Sequence, residues 1–152
     1  MILTTAATLF QTLPGKWALT RTISGSHSAR IHGTAIWELQ STHSAQFHET
    51  VHNHIDNQTI EASASYLYKQ TENLWQVYTQ PAHQANQLLH TIDFNIIDAG
   101  PLMLAATPHF CGADRYHAYY DFNRPHTLRI VFTVRGPNKQ YTSITEFKKV
   151  DA

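Results

Sequence analysis

From Trp17 onward, apolar and polar residues alternate in short runs rich in Thr, Ile, Val, Tyr and Phe, broken by clusters of Gly, Asn, Asp, Pro and Ser. A period of two puts successive side chains on opposite faces of an extended chain, so this texture predicts antiparallel sheet with one buried face. The runs place strands at 16–24, 30–39, 44–53, 59–69, 73–80, 86–96, 109–121, 126–135 and 140–149. Turns fall at Ser24-Gly-Ser, Ile55-Asp-Asn, Glu72-Asn, Asn123-Arg-Pro and Gly136-Pro-Asn. Eight or nine consecutive strands with short connections predict an all-β, antiparallel up-and-down barrel. Ahead of them the period changes. After a capping Thr4 or Thr5, apolar residues at 6, 9, 10 and 13 mark one face of a short helix that Pro14-Gly15 ends. The stretch 97–108 fits neither pattern and is expected to be a loop or a lid over one barrel mouth. Residues 1–152 suit one domain.

Inward positions of a small barrel either fill it or line one cavity, so a polar residue on the apolar parity is the informative event. Arg21 shares its parity with Trp17, Leu19 and Ile23, and Glu49 shares its own with Ala45, Phe47 and Val51. A guanidinium or a carboxylate in an apolar interior is costly unless paired, hydrogen-bonded or matched by a ligand. Two readings stand: an internal Arg21/Glu49 ion pair that fixes the barrel, or a charged anchor for a ligand head. His90 falls in line with Leu88, Ile92 and Phe94, where a satisfied core imidazole is the commoner outcome. Across 109–121 both parities carry polar groups, with His109, Cys111 and Arg115 on one and Asp114 and Tyr116 on the other. A bulge at Gly112 would exchange those faces partway along. Arg135-Gly-Pro-Asn-Lys139-Gln-Tyr141 reads first as a hairpin turn, and secondarily as a rim clamp in which Arg135 and Lys139 meet a carboxylate or phosphate.

Composition narrows the classes further. Lys plus Arg and Asp plus Glu number 11 each, so no broad field steers the chain to nucleic acid or to anionic lipid. No apolar run is long enough to span a membrane as a helix. The 11 His make net charge sensitive to pH near 6.5. A single cysteine and an N-terminus without a basic, apolar leader point to a reducing, cytoplasmic setting. A structural zinc normally wants four ligands, and no Cys pair is present, so no metal and no cofactor is expected; haem on an inward His90 or His109 is a lesser alternative. Adjacent residues on one strand stand parallel rather than converging, which weighs against a Cys111/His109/Asp114 catalytic set. Oligomeric state is not set by sequence, and a homodimer is compatible with it.

Leu13-x-Gly15-x-Trp17-x-x-x-Arg21, Gly33, Phe47-His-Glu49, Tyr66-x-Tyr68, His109-x-Cys111-x-x-Asp114-x-Tyr116 and Gly136-Pro-x-Lys139-x-Tyr141 together resemble a lipocalin-like family of unknown function from bacteria and fungi, domain of unknown function 6314. The resemblance runs from about Phe10 to Lys148 and implies a lipocalin-like (calycin-like) β-barrel with an N-terminal helix near one end. It implies no activity. Ala62-Ser-Ala-Ser65 stands where the family pattern implies an Arg before Tyr66, and Phe47 where Tyr is more usual, so pocket chemistry is expected to differ here.

These observations predict a barrel that binds a small, partly apolar molecule with an anionic or hydrogen-bonding head. Trp17, Trp37, Phe47 and Tyr66 would supply aromatic wall, and Arg21, Glu49, Asp114, Tyr116 and Lys139 polar anchors, with His90, His109, Cys111, Arg135 and Tyr141 completing the candidate set. The rival classes are an enzyme doing acid/base chemistry on such a ligand, and an interaction module whose interior is plugged.

Overall fold

The computed structural model describes residues 4–26, 28–55, 57–95 and 103–150. A short helix α1 (Thr5–Phe10) leads into β1 (Gly15–Gly25), β2 (Ala29–Ser41), β3 (Ser44–Ile55), β4 (Gln58–Thr71), β5 (Leu74–Thr79) and β6 (Gln87–Asp93). There follow β7 (Met103–Ala105), β8 (His109–Cys111), β9 (Asp114–Asp121), β10 (Thr127–Arg135) and β11 (Gln140–Lys149). All pairings are antiparallel, and the order round the sheet is β6-β5-β4-β3-β2-β1-β11-β10-β9-β7, with β8 also beside β9. An Ile92–Ala106 bridge, and Thr107 N–H donating to the Thr91 carbonyl at 2.9 Å, bring the last strand back to the first. The sheet thus nearly closes into the expected barrel.

The helix seals one end. Thr4 caps it by accepting from Ala7 N–H, and its Oγ1 donates to the Glu72 carbonyl at 2.8 Å, tying the helix start to the β4–β5 turn. Ala6, Phe10 and Leu13 are buried, and two indoles fix the segment: Trp75 Nε1 donates to the Ala6 carbonyl and Trp17 Nε1 to that of Leu13, both at 2.9 Å. Beneath it Trp17, Trp37 and Phe147 pack edge to face, and Phe94 and Phe122 crowd Trp75. Apolar burial and ring contacts make this end solid.

Three sequence expectations change. The single strand expected at 109–121 is a hairpin, with Cys111 opposite Asp114 and His109 opposite Tyr116. Gly112, at φ +60°, supplies the left-handed conformation that a two-residue hairpin turn requires, so the chain reverses where a bulge was expected. Within the expected loop or lid, residues 103–105 are a strand in the barrel wall, and 97–102 lie outside the described residues. In β6 a register shift opposite Val77/Tyr78 inserts one residue, which turns Leu88 outward, 46% exposed, and lets Leu89 join His90 on the inner side. Among the described residues the strand count therefore rises to eleven in the same barrel.

Gly33 is where the β2 backbone approaches β3. A Cβ built there would lie 2.2 Å from the Thr50 carbonyl oxygen and 2.8 Å from Val51 Cα. Backbone, unlike a side-chain tip, cannot swing aside. Gly33→Ala should therefore cost about 1–3 kcal/mol in urea unfolding, and an unchanged midpoint would show that β2 and β3 separate freely.

Candidate functional site

Opposite the sealed end the barrel is hollow. A cavity of about 470 Å³ is bounded by inward residues of nearly every long strand. Its apolar wall includes Ile23, Phe47, Val77, Leu89, Ile130, Phe132, Val134 and Phe147. Set into that wall are Arg21, Glu49, His90, His109, Cys111, Ser143 and Thr145, with five tyrosines, Tyr66, Tyr68, Tyr116, Tyr120 and Tyr141.

Arg21 and Glu49 form a two-pronged pair. Arg21 Nη1 donates to Glu49 Oε2 at 2.9 Å and Nη2 to Oε1 at 2.7 Å, while Nε donates to Thr145 Oγ1 at 2.8 Å. The register explains the third bond, since Arg21 and Thr145 are directly opposite across β1 and β11. The fork fits the carboxylate geometry, and the pair occupies both carboxylate oxygens. A guanidinium has five N–H groups, so two remain without a protein partner among the described residues. Glu49 is 5% exposed, and this pairing is what makes its burial tolerable. The internal ion pair is thus present, and it stands on the cavity wall.

Across the barrel is a second polar group. His90 Nε2 lies 2.8 Å from the Tyr120 hydroxyl, which lies 3.4 Å from that of Tyr68. Burial, helped by nearby His109, pushes the His90 pKa down to about 4, so the ring is neutral at pH 7. Burial also raises the pKa values of Tyr68, Tyr120 and Tyr66, and all three keep their phenolic protons. The cavity wall thus carries uncharged hydrogen-bonding groups as well as the charged pair, and Tyr66 stands on β4 beside the strand that carries Glu49.

At the mouth the two most distinctive sequence elements meet. Lys139 Nζ is 3.8 Å from Asp114 Oδ2, and a Cβ on Gly136 would sit 1.8 Å from Asp114 Oδ1. Gly136 thus leaves room for the carboxylate of the β8–β9 hairpin against the β10–β11 turn. Burial raises the Tyr141 pKa at this rim, and its neighbours are Tyr116, Lys139 and Asp114.

The structure places Arg21, Phe47, Glu49, Tyr66, His90, His109, Cys111, Tyr116 and Tyr141 on the cavity wall. Trp17 and Trp37 are not there: both have the inward parity but lie under the helix, 3% and 1% exposed. Asp114 and Lys139 pair at the rim, and Arg135 takes the outward parity of β10, exposed and opposite Arg115. No rim clamp of Arg135 with Lys139 forms, because alternation turns Val134 inward and Arg135 away. Sequence reasoning missed Tyr68, Tyr120, Ser143 and Thr145. A parity signal was available for each: Tyr68 follows Tyr66 by two, Tyr120 follows Tyr116 by four, and Ser143 and Thr145 follow Tyr141 by two and four.

Among the described residues no three His, Cys, Asp or Glu side chains come together as a metal cluster. No helix among them is long and apolar enough to cross a membrane.

Comparison with known proteins locates the fold. A family model described as a family of unknown function (DUF6314) matches residues 13–149. No curated protein matches the chain in sequence. Among solved structures, the S-type phycobiliprotein lyase CPES from Guillardia theta superposes with a TM-score of 0.64 at 9% identity, over 95% of this chain and 92% of that one. The protein EF1p2_mFAP2b, bound to DFHBI, gives a TM-score of 0.54 at 8% identity, over 95% of this chain and 99% of that one. Identities this low establish a common barrel architecture and say nothing of a ligand for this chain.

Proposed function

The chain belongs to this family of unknown function, and since membership carries no activity, we propose from the cavity itself that the protein binds a small, partly apolar molecule whose anionic head sits on Arg21. One observation carries the reading: a guanidinium with two N–H groups unpartnered among the described residues, on the wall of a largely apolar, 470 Å³ hollow. That volume falls within the range of small-molecule sites, and a few convergent polar groups in an apolar wall are their usual make-up. Glu49 neutralises Arg21 in formal charge, yet the outer N–H groups still offer charge-assisted hydrogen bonds. A plugged scaffold, the third expectation, does not describe this interior.

Acid/base catalysis in the same cavity has weaker support. The carboxylate of Glu49 is held in both prongs of the ion pair, and His90, with a pKa near 4, is a poor base at neutral pH.

Two fluorescent probes test the binding reading. 1-Anilinonaphthalene-8-sulfonate and N-phenyl-1-naphthylamine share an apolar body and differ in the sulfonate. The sulfonate should bind wild type, and Arg21→Met combined with Glu49→Leu should weaken it about tenfold or more while changing the uncharged amine little. Equal effects on both probes, in a double variant with unchanged circular dichroism, would remove Arg21 as the head-group anchor.

A further inference from the structure

Arg21 and His90 stand on strands as far apart in the sheet order as the barrel allows. In the sheet order β1, which carries Arg21, is five places from β6, which carries His90, whichever way the circuit is followed. His90 is 3% exposed, and its Nε2 is engaged by Tyr120. Its other ring nitrogen, Nδ1, has no hydrogen-bond partner among the described residues. Among those residues the only sealed, unpartnered side-chain nitrogen or oxygen is Trp37 Nε1, so Nδ1 is open to space rather than entombed. The space beside His90 is the cavity.

Relative acceptor strength argues which way the protons point. The 2.8 Å contact between Tyr120 and His90 is the strong one, and an imidazole nitrogen is a better acceptor than a phenol oxygen. Tyr120 therefore donates to Nε2, and Tyr68 donates weakly to the Tyr120 oxygen at 3.4 Å. The neutral ring then carries its proton on Nδ1, as a donor facing the hollow. Phe47, Phe132 and Ile130 line the same cavity.

We propose that the ligand is an elongated or flat apolar molecule with an anionic group at one end, held by Arg21, and a carbonyl at the other, accepting from His90 Nδ1–H. This rests on the binding reading above and adds the second anchor. Ten strand places about 4.8 Å apart and tilted about 40° make a barrel roughly 20 Å across between backbones, of which the two side chains occupy about half. The remaining span matches a naphthalene substituted at opposite ends.

Three probes separate the two anchors in isothermal titration with the full chain. 6-Acetyl-2-naphthoate has both groups, 6-isopropyl-2-naphthoate keeps the shape and the carboxylate but lacks the carbonyl, and 2-acetylnaphthalene lacks the carboxylate. Wild type should prefer the acetyl over the isopropyl acid by about fivefold. His90→Phe should abolish that preference with little change for the isopropyl acid, and Tyr120→Phe, which keeps the ring but removes its orienting phenol, should reduce it. Absence of the preference in wild type, or its persistence in His90→Phe, would overturn the second anchor and leave the Arg21 reading intact. Arg21→Met with Glu49→Leu should weaken both acids and spare 2-acetylnaphthalene; if it does not, the Arg21 anchor falls, and with it the two-ended ligand. If wild type binds none of the three, both readings fail.

Discussion

Arg21→Met is expected to destabilise the barrel by about 3 kcal/mol, one of the largest single-site effects in the molecule. The substitution keeps the aliphatic stem and removes the only charge partner, among the described residues, of a carboxylate that is 5% exposed. Breaking a buried pair typically costs about 3–5 kcal/mol, because the remaining charge is left dehydrated and uncompensated. The lower end applies, since the Arg21 side chain is 21% exposed and stands on the cavity wall, where solvent screening weakens the field. Thr145 also loses the donor to its hydroxyl. Glu49→Leu added to Arg21→Met removes the stranded charge and should restore most of the loss. Urea unfolding of wild type, the single variant and the double variant checks this, provided the slope of each transition is unchanged. A double variant as unstable as the single one would show that the pair itself holds β1 to β3 and that the cost is not a stranded carboxylate.

The interior chemistry was legible in the sequence wherever parity alone decided it. A strand alternates strictly, so Arg21, Phe47, Glu49, Tyr66 and His90 could be assigned to the inner face from their spacing to apolar neighbours. Parity does not give height along the barrel axis. Trp17 and Trp37 have the same inward parity as Arg21 and Glu49, yet they lie beneath α1, whose Phe10 and Leu13 close that end. Nothing in the strand pattern says which end a separate helix will cap. The β8–β9 hairpin was hidden for another reason: a glycine with positive φ serves a bulge and a two-residue turn equally well. The difference matters, because the turn folds His109 and Cys111 back beside Tyr116 and onto the cavity wall. Tyr68, Tyr120 and Thr145 were concealed by their own chemistry. Half-polar side chains at inward positions look like core until their hydroxyls are seen engaged with Tyr120, His90 and Arg21.

Sequence elements far apart in the chain meet at the mouth for a steric reason. The Asp114 carboxylate occupies the volume that a side chain at residue 136 would fill, and Lys139 reaches the same carboxylate from the other end of that turn. A Gly-Pro-x-Lys turn opposite an Asp-bearing hairpin is thus one rim device written in two places. The helix-capped end is packed with rings and the rim end carries ionic contacts, so cavity access belongs to the latter.

Acidification should destabilise the protein through His90, and the sign follows from burial. In the folded state the ring resists protonation until about pH 4, whereas in the unfolded chain it takes a proton near 6.5. Between those values the unfolded state binds the extra proton, so stability falls as pH falls, by about 1.4 kcal/mol per pH unit and about 3 kcal/mol in all. Above pH 6.5 both states hold the ring neutral and the contribution is flat; below about 4 the folded ring charges as well and the loss levels off. His90→Gln keeps a polar group that can accept from Tyr120 and cannot titrate. Urea unfolding at half-unit steps from pH 7.5 to 4 should therefore give wild type a steeper descent than His90→Gln across this window, with the difference between the two curves approaching about 3 kcal/mol at the acid end. Contributions common to both proteins cancel in that difference. Parallel curves would mean that the folded ring accepts its proton as readily as the unfolded one. His90 would then be in contact with bulk water rather than held as the neutral, buried donor on which the second anchor depends.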